Sequence, residues 1–105
     1  MPHPDVTDRA VRDLIEAINA GDREAFADAL TPDATMSDDG SERDLFPWAE
    51  KEIFSANGRI DVVSASDEGR SLVADYRNDT WGSMRTRWRF TVTNGKVSRF
   101  DTGQA

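Results

Sequence analysis

The stretch RIDVVSASDEGRSLVADYRNDTWGSMRTRWRFTVTNGKVSRFDT, residues 59–102, decides the fold. Apolar and polar residues alternate along it with a period of two, broken only at Asp67-Glu68-Gly69, Thr80-Trp81-Gly82-Ser83 and Asn94-Gly95. The spacing predicts four strands, Arg59–Ser66, Ser71–Asp79, Met84–Thr93 and Lys96–Thr102, joined as an antiparallel meander. Turn length sets register, and register decides which side chains share a face. A three-residue loop at Asp67-Glu68-Gly69 pairs Ser66 with Arg70, Ile60 with Tyr76 and Val62 with Ala74. One at Trp81-Gly82-Ser83 sets Tyr76 opposite Trp88, Ala74 opposite Phe90 and Leu72 opposite Val92, with Asp75 meeting Arg89 on the reverse face. A two-residue type I′ turn at Asn94-Gly95 pairs Val92 with Val97, Phe90 with Arg99 and Trp88 with Asp101. That register places Arg99 and Asp101 on the apolar face; a slip or a bulge would instead bring Phe100 in and send both charges out.

Upstream, the period changes to that of helices. Val11, Leu14, Ile15 and Ile18 form one stripe on a helix that starts at Asp5 or Thr7 and stops at Gly21. Asp22 can cap a second short helix that buries Ala25, Phe26, Ala29 and Leu30 and is stopped by Pro32. Ala34-Thr35-Met36 suits a short strand, Ser37 to Ser41 is turn chemistry, and Asp44 to Asn57 reads as a third helix with Trp48, Ile53 and Phe54 available for burial. Helices followed by a meander give an α+β layer in which the helices cover the apolar face of the sheet.

The chain of 105 residues is the size of one domain, residues 1–105, with 1–6 expected to be flexible. Its 20 acidic side chains outnumber 13 basic ones, and the imbalance is local: residues 1–55 hold 14 acids and 5 bases, residues 56–105 hold 6 acids and 8 bases. This balance argues against nucleic acid or an anionic membrane as partner. No apolar run is long enough to span a bilayer and the N-terminus lacks the pattern of a signal peptide, so a cytoplasmic location is expected. Without cysteine, and with His3 the only histidine, neither a thiol nucleophile, a His-based dyad nor a typical zinc site can be built. No phosphate loop, dinucleotide fingerprint or metal-ligand cluster occurs, and the chemistry expected is cofactor-free.

Asn19-Ala20-Gly21-Asp22, Phe26, Leu30, Pro32-Asp33-Ala34-Thr35 and the closing Asn94-Gly95-Lys96-Val97-Ser98-Arg99-Phe100-Asp101 resemble, in order and over nearly the whole chain, the nuclear transport factor 2-like superfamily. Within it the chain is most similar to ketosteroid isomerase-like and SnoaL-like bacterial proteins. The resemblance implies a cystatin-like fold: a curved antiparallel sheet forming a cone, covered by about three N-terminal helices, with an internal pocket for a small organic ligand. It also implies a homodimer through the outer sheet face. The same fold hosts isomerases, cyclases, dehydratases and plain binding proteins, so it does not choose among them.

Asp38 follows Asp33-Ala34-Thr35-Met36 at the spacing where the resemblance puts the general-base aspartate of ketosteroid isomerases. A carboxylate with restricted access to water can remove a proton alpha to a carbonyl; otherwise Asp38 is a turn aspartate. The positions of that family's oxyanion tyrosine and acid fall on Leu14 and near Trp88 or Arg89, so neither partner is present. Asp101 with Arg99 is the second candidate, since SnoaL-like relatives place acids or Arg–Asp pairs on cavity-lining strands; otherwise it is a solvated strand end. Trp48, Tyr76, Asn78 and Trp88 can line a pocket or be ordinary core. Trp81 reads as a loop anchor or a rim aromatic, and Arg77, Arg85, Arg87 and Arg89 as one stripe on the outer face. The expected activity, if there is one, is cofactor-independent isomerisation, cyclisation or dehydration with Asp38 or Asp101 as proton acceptor; the alternative is a non-catalytic ligand-binding or dimerisation module.

Overall fold

Asp8, rather than Asp5 or Thr7, caps the first helix. In the computed structural model, which describes residues 3–105, the Asp8 carboxylate accepts from the N–H groups of Ala10 at 2.9 Å and Val11 at 3.3 Å, and α1 runs Arg9–Ala20. Residues 6–8 are held instead against the turn at residues 67–69: Thr7 and Asp8 donate to the Glu68 carbonyl, and Arg70 grips the second Asp8 oxygen at 2.7 Å. Within the segment expected to be flexible, Val6 is buried against Gly69; Met1 and Pro2 lie outside the described residues. Helix α2, Arg23–Asp28, starts at Asp22, whose carboxylate accepts from Ala25 N–H.

Leu30 does not belong to that helix. It begins β1, Leu30–Asp38, a far longer strand than Ala34–Met36, because the chain after Ala29 enters the sheet beside Val97, whose N–H bonds the Ala29 carbonyl at 2.9 Å. A tight turn at Asp39-Gly40 returns to β2, Ser41–Arg43. Helix α3, Leu45–Ala49, widens into a π-helical turn, Glu50–Phe54, in which Ser55 N–H reaches back to the Glu50 carbonyl. Strands β3, Arg59–Ser66, β4, Ser71–Asn78, β5, Gly82–Thr93, and β6, Lys96–Gln104, complete a six-stranded sheet of order β2-β1-β6-β5-β4-β3. All neighbours are antiparallel except β1 and β6, which run parallel. The architecture is α+β, with helices covering one face of a curved sheet.

The registers show where turn reasoning holds and where side chains override it. Ile60 meets Tyr76 and Val62 meets Ala74 as expected, but a bulge at Val63 shifts the rest so that Ser66 pairs with Ser71 and not Arg70. Between β4 and β5 the register slips by four residues: Tyr76 meets Met84, Ala74 meets Thr86, Leu72 meets Trp88, and Asp75 meets Arg85 rather than Arg89. The reason is Asn78, whose side-chain carbonyl accepts from Thr80 N–H at 3.1 Å and Trp81 N–H at 2.8 Å and closes the loop at Asp79-Thr80-Trp81. An even slip exchanges partners while keeping each side chain on its face. In the β5–β6 hairpin Val92 meets Val97, and a bulge at Ser98 then resets the phase: Thr91 meets Arg99, Phe90 meets Phe100 and Trp88 meets Thr102. Phe100 is therefore buried, and Arg99 and Asp101 are on the outer face. The core beneath α1 and α2 contains Val11, Leu14, Ile18, Phe26, Leu30 and Met36, each at most 2 % exposed. Each such side chain contributes roughly 1.5–3 kcal/mol by leaving water.

Candidate functional site

A row of rings crosses the inner face of the sheet: Tyr76 on β4, Trp88 on β5, Phe100 on β6 and Trp48 on α3, with successive centroids 6.1, 5.7 and 6.0 Å apart. Aromatic pairs at this separation hold one another in place. Along this row the sheet and the α3 segment part to leave a cleft of about 620 Å³. The rings of Tyr76, Trp88 and Trp48 form its wall, with Thr86, Met84 and Thr102 beside them. The end of β1, with Asp38 and Asp39, closes one side, and the π-helical turn, with Lys51 and Glu52, closes another.

Asp38 is half-buried, and the Trp48 indole N–H donates to its carboxylate at 3.2 Å. It is part of β1 rather than of a free turn, directly paired with Ser41 on one side and Thr102 on the other. The Asp38 carboxylate is thus fixed by sheet pairing and an indole at the wall of an open cleft. Asp39 accepts from Gln104 N–H at 3.0 Å. The π-helical turn leaves the Glu52 carbonyl for side chains of the sheet: Tyr76 O–H donates to it at 2.7 Å and the Asn78 amide at 2.9 Å. The Glu52 carboxylate meanwhile accepts from the Trp81 indole at 2.9 Å and ties the β4–β5 loop to the π-helical turn. Burial pushes the Tyr76 phenol up to about 12, so the hydroxyl stays protonated.

The hydroxyl donors of the wall are already committed. Thr86 donates to the Ala74 carbonyl and receives the Trp88 indole N–H, and Thr102 donates to the Arg87 carbonyl. The remaining polar side chains of the lining are the charged Asp38, Asp39, Asp44 and Glu52 against Arg43 and Lys51, together with the amide of Gln104. Asn78 is buried behind this lining and acts as a brace for Glu52 and Trp81.

Arg99 and Asp101 are not brought to the cleft. The regular ladder that would point them inward is broken by the bulge at Ser98, and on the outer face Arg99 bridges Glu42 and, at 2.9 Å, Asp101. Burial pushes the Asp101 carboxyl up, but hydrogen bonds from Ser37 and Arg99 and the charges of Arg99 and Arg89 outweigh it and hold it below its ordinary value. A carboxylate so paired is built for structure. Arg85 likewise pairs with Asp75 at 2.7 Å, and Arg77, Arg87 and Arg89 are exposed on the same face. Glu52, Asp44 and Thr86 escape sequence reasoning because nothing in a charged helix or an alternating strand announces a π-helical turn or the curvature that opens the cleft.

No protein-family model matches the sequence, and no curated protein is significantly similar to it. Solved structures are. An NTF2-like protein of unknown function from Cytophaga hutchinsonii superposes with a TM-score of 0.76 at 15% identity, over 97% of this chain and 92% of that one. This chain has the nuclear transport factor 2-like fold. A putative polyketide cyclase from Sinorhizobium meliloti shares the fold at TM-score 0.75 and 17% identity, over 89% of this chain and 92% of the other. So does a hypothetical protein with a ketosteroid isomerase-like fold from Catenulispora acidiphila, in complex with trimethylamine, at TM-score 0.73 and 14% identity, over 91% and 85%. Within the fold, the positions that the resemblance assigns to ketosteroid isomerase oxyanion donors fall on Leu14, wholly buried on the inner stripe of α1, and near Trp88, whose N–H is spent on Thr86, or Arg89, exposed on the outer face. Among the described residues, no helix of this chain is long and apolar enough to cross a membrane.

Proposed function

We propose that the chain is a small-molecule-binding protein of the SnoaL-like kind, whose ligand occupies the cleft between α3 and the sheet. The observation that carries this reading is the cleft itself: about 620 Å³, walled by aromatic rings, with a few fixed polar groups, is the form of a ligand site rather than of a packing defect. All three tryptophans of the chain line it, so their indole N–H resonances report directly on occupancy. Screening a library of small organic molecules by NMR is expected to yield ligands that shift the three indole signals together; hits that leave all three unmoved would count against the site.

A second reading, cofactor-free proton transfer with Asp38 as acceptor, is favoured by the placement of that carboxylate under the Trp48 indole at the cleft wall. Developing negative charge on such a substrate would have to be met by Lys51, Arg43 or the Gln104 amide, because Tyr76, Thr86 and Thr102 donate to backbone carbonyls. For any substrate found, Asp38→Asn is expected to lower turnover by about 10²–10⁴-fold. Undiminished turnover removes Asp38 as the proton acceptor.

We further propose that two copies pair through the outer sheet face, where Arg87, Arg89 and Val63 are exposed and a shallow groove runs between β3 and β6. Sedimentation is expected to show a dimer that Arg89→Glu dissociates, and a monomer at high concentration refutes the pairing.

A further inference from the structure

Some acids of this molecule are matched with cations, among them Asp8 with Arg70, Glu50 with Arg23, Asp75 with Arg85, and Glu42 and Asp101 with Arg99, while others scattered over the surface, such as Asp28, Asp33 and Asp61, form no ion pair among the described residues. The four carboxylates of the cleft, Asp38, Asp39, Asp44 and Glu52, form no ion pair among the described residues. The donors that reach them are neutral: the Trp48 indole for Asp38, the Trp81 indole for Glu52 and the Gln104 N–H for Asp39. A neutral donor fixes a carboxylate in place without cancelling its charge. Arg43 and Lys51 line the same space as exposed side chains and leave the lining negative. A concave wall concentrates such a field in the cleft it lines.

The walls select further. The faces of Trp48, Trp81, Trp88 and Tyr76 carry negative quadrupole potential and attract a cation placed over them, tryptophan most strongly. A bare metal ion gains little from rings, since hard cations require a shell of oxygen ligands. An alkylated ammonium gains from both features: its methyl or methylene groups lie against the rings and its charge is met by the carboxylates.

We infer that the ligand of the cleft is an organic cation, an ammonium or quaternary ammonium head held among the tryptophans with Asp38 and Glu52 as counter-ions. This rests on the reading of the cleft as a small-molecule site and names the chemical class it takes. Tryptophan fluorescence tests it, because every tryptophan of the chain is at the site. Titration with choline is compared with its neutral carbon isostere, in which a tert-butyl group replaces the trimethylammonium. Choline is expected to bind roughly tenfold or more tightly than the isostere, and to weaken as salt is raised. Glu52→Gln and Asp38→Asn, shown to be folded by thermal unfolding, are each expected to narrow that ratio by weakening choline alone. Equal or tighter binding of the isostere overturns the cation while leaving the cleft a ligand site. A ratio unchanged in both variants overturns the counter-ions. No response to either compound overturns the organic cation, and the indole shifts in the library screen then decide separately whether the cleft is a ligand site.

Discussion

Phe100→Ala is expected to lower the free energy of unfolding by about 3–5 kcal/mol, and Arg99→Ala by less than about 1 kcal/mol. Phe100 is 1 % exposed and lies against the rings of Trp48, Trp88 and Phe90, so its loss leaves a cavity at the centre of the row that walls the cleft. Arg99 sits outside, bridging Glu42 and Asp101 where water screens the pair. Urea denaturation of the two variants reads the contrast directly. The ladder without the bulge at Ser98 predicts the reverse order, with Arg99 inside and Phe100 outside, so a small effect of Phe100→Ala would sink the register described here. Loss of the ring also frees Trp48, whose indole holds Asp38, and ligand binding is expected to weaken along with stability.

Gly58→Ala is expected to cost about 2–4 kcal/mol, from overpacking and a lost hydrogen bond together. A methyl at Gly58 would lie 2.3 Å from the Tyr76 hydroxyl and 3.0 Å from the Ile53 Cα, so the phenol must leave the Glu52 carbonyl or the backbone must move. Tyr76→Phe removes only the hydroxyl and leaves the Asn78 amide on that carbonyl, a change expected to cost about 1 kcal/mol. In the double variant the obstructing oxygen is absent, and the sum of the single effects is expected to exceed the measured one by about 1 kcal/mol or more. Additive costs would show that the two sites do not meet. Because Tyr76 is the only tyrosine, tyrosinate absorbance gives a second readout. In the wild-type chain burial holds the phenol protonated up to about 12, whereas the unfolded chain titrates at its ordinary value of 10. The folded state binds this proton more tightly, so its contribution to stability is complete below the unfolded value and is lost as pH rises from there to about 12. Gly58→Ala is expected to move the titration down toward the ordinary value by exposing the hydroxyl.

Much of the architecture was legible because it follows from local chemistry. The stripe Val11, Leu14, Ile15, Ile18 has one helical solution, Asp22 has one helix to cap, and alternation from Arg59 onward has one strand solution with an apolar side. What misled were the points at which a side chain or a distant strand outbid local preference. Asn78 closed its turn with its own carbonyl and moved the β4–β5 register; Ser98 took a bulge and exchanged Phe100 for Arg99 and Asp101; Leu30 left a helix for a parallel partner almost seventy residues away. Asp38 could be singled out by resemblance, whereas its carboxylate partners at the cleft, Asp44 and Glu52, could not. Their convergence depends on a hairpin, a π-helical turn and sheet curvature acting together.

The sequence by itself determined the layers: acidic helices over an alternating sheet, with its arginine row turned to the outside. Periodicity and charge are properties of neighbouring residues, and they survive any even slip of register. Only the tertiary structure decided which charges face the enclosed space, because a single bulge inverts the faces beyond it and because the cleft is bounded by segments that no local pattern links. Of the two carboxylates that the resemblance brought forward, Asp38 came to the cleft and Asp101 to the outer face, separated by the one extra residue at Ser98.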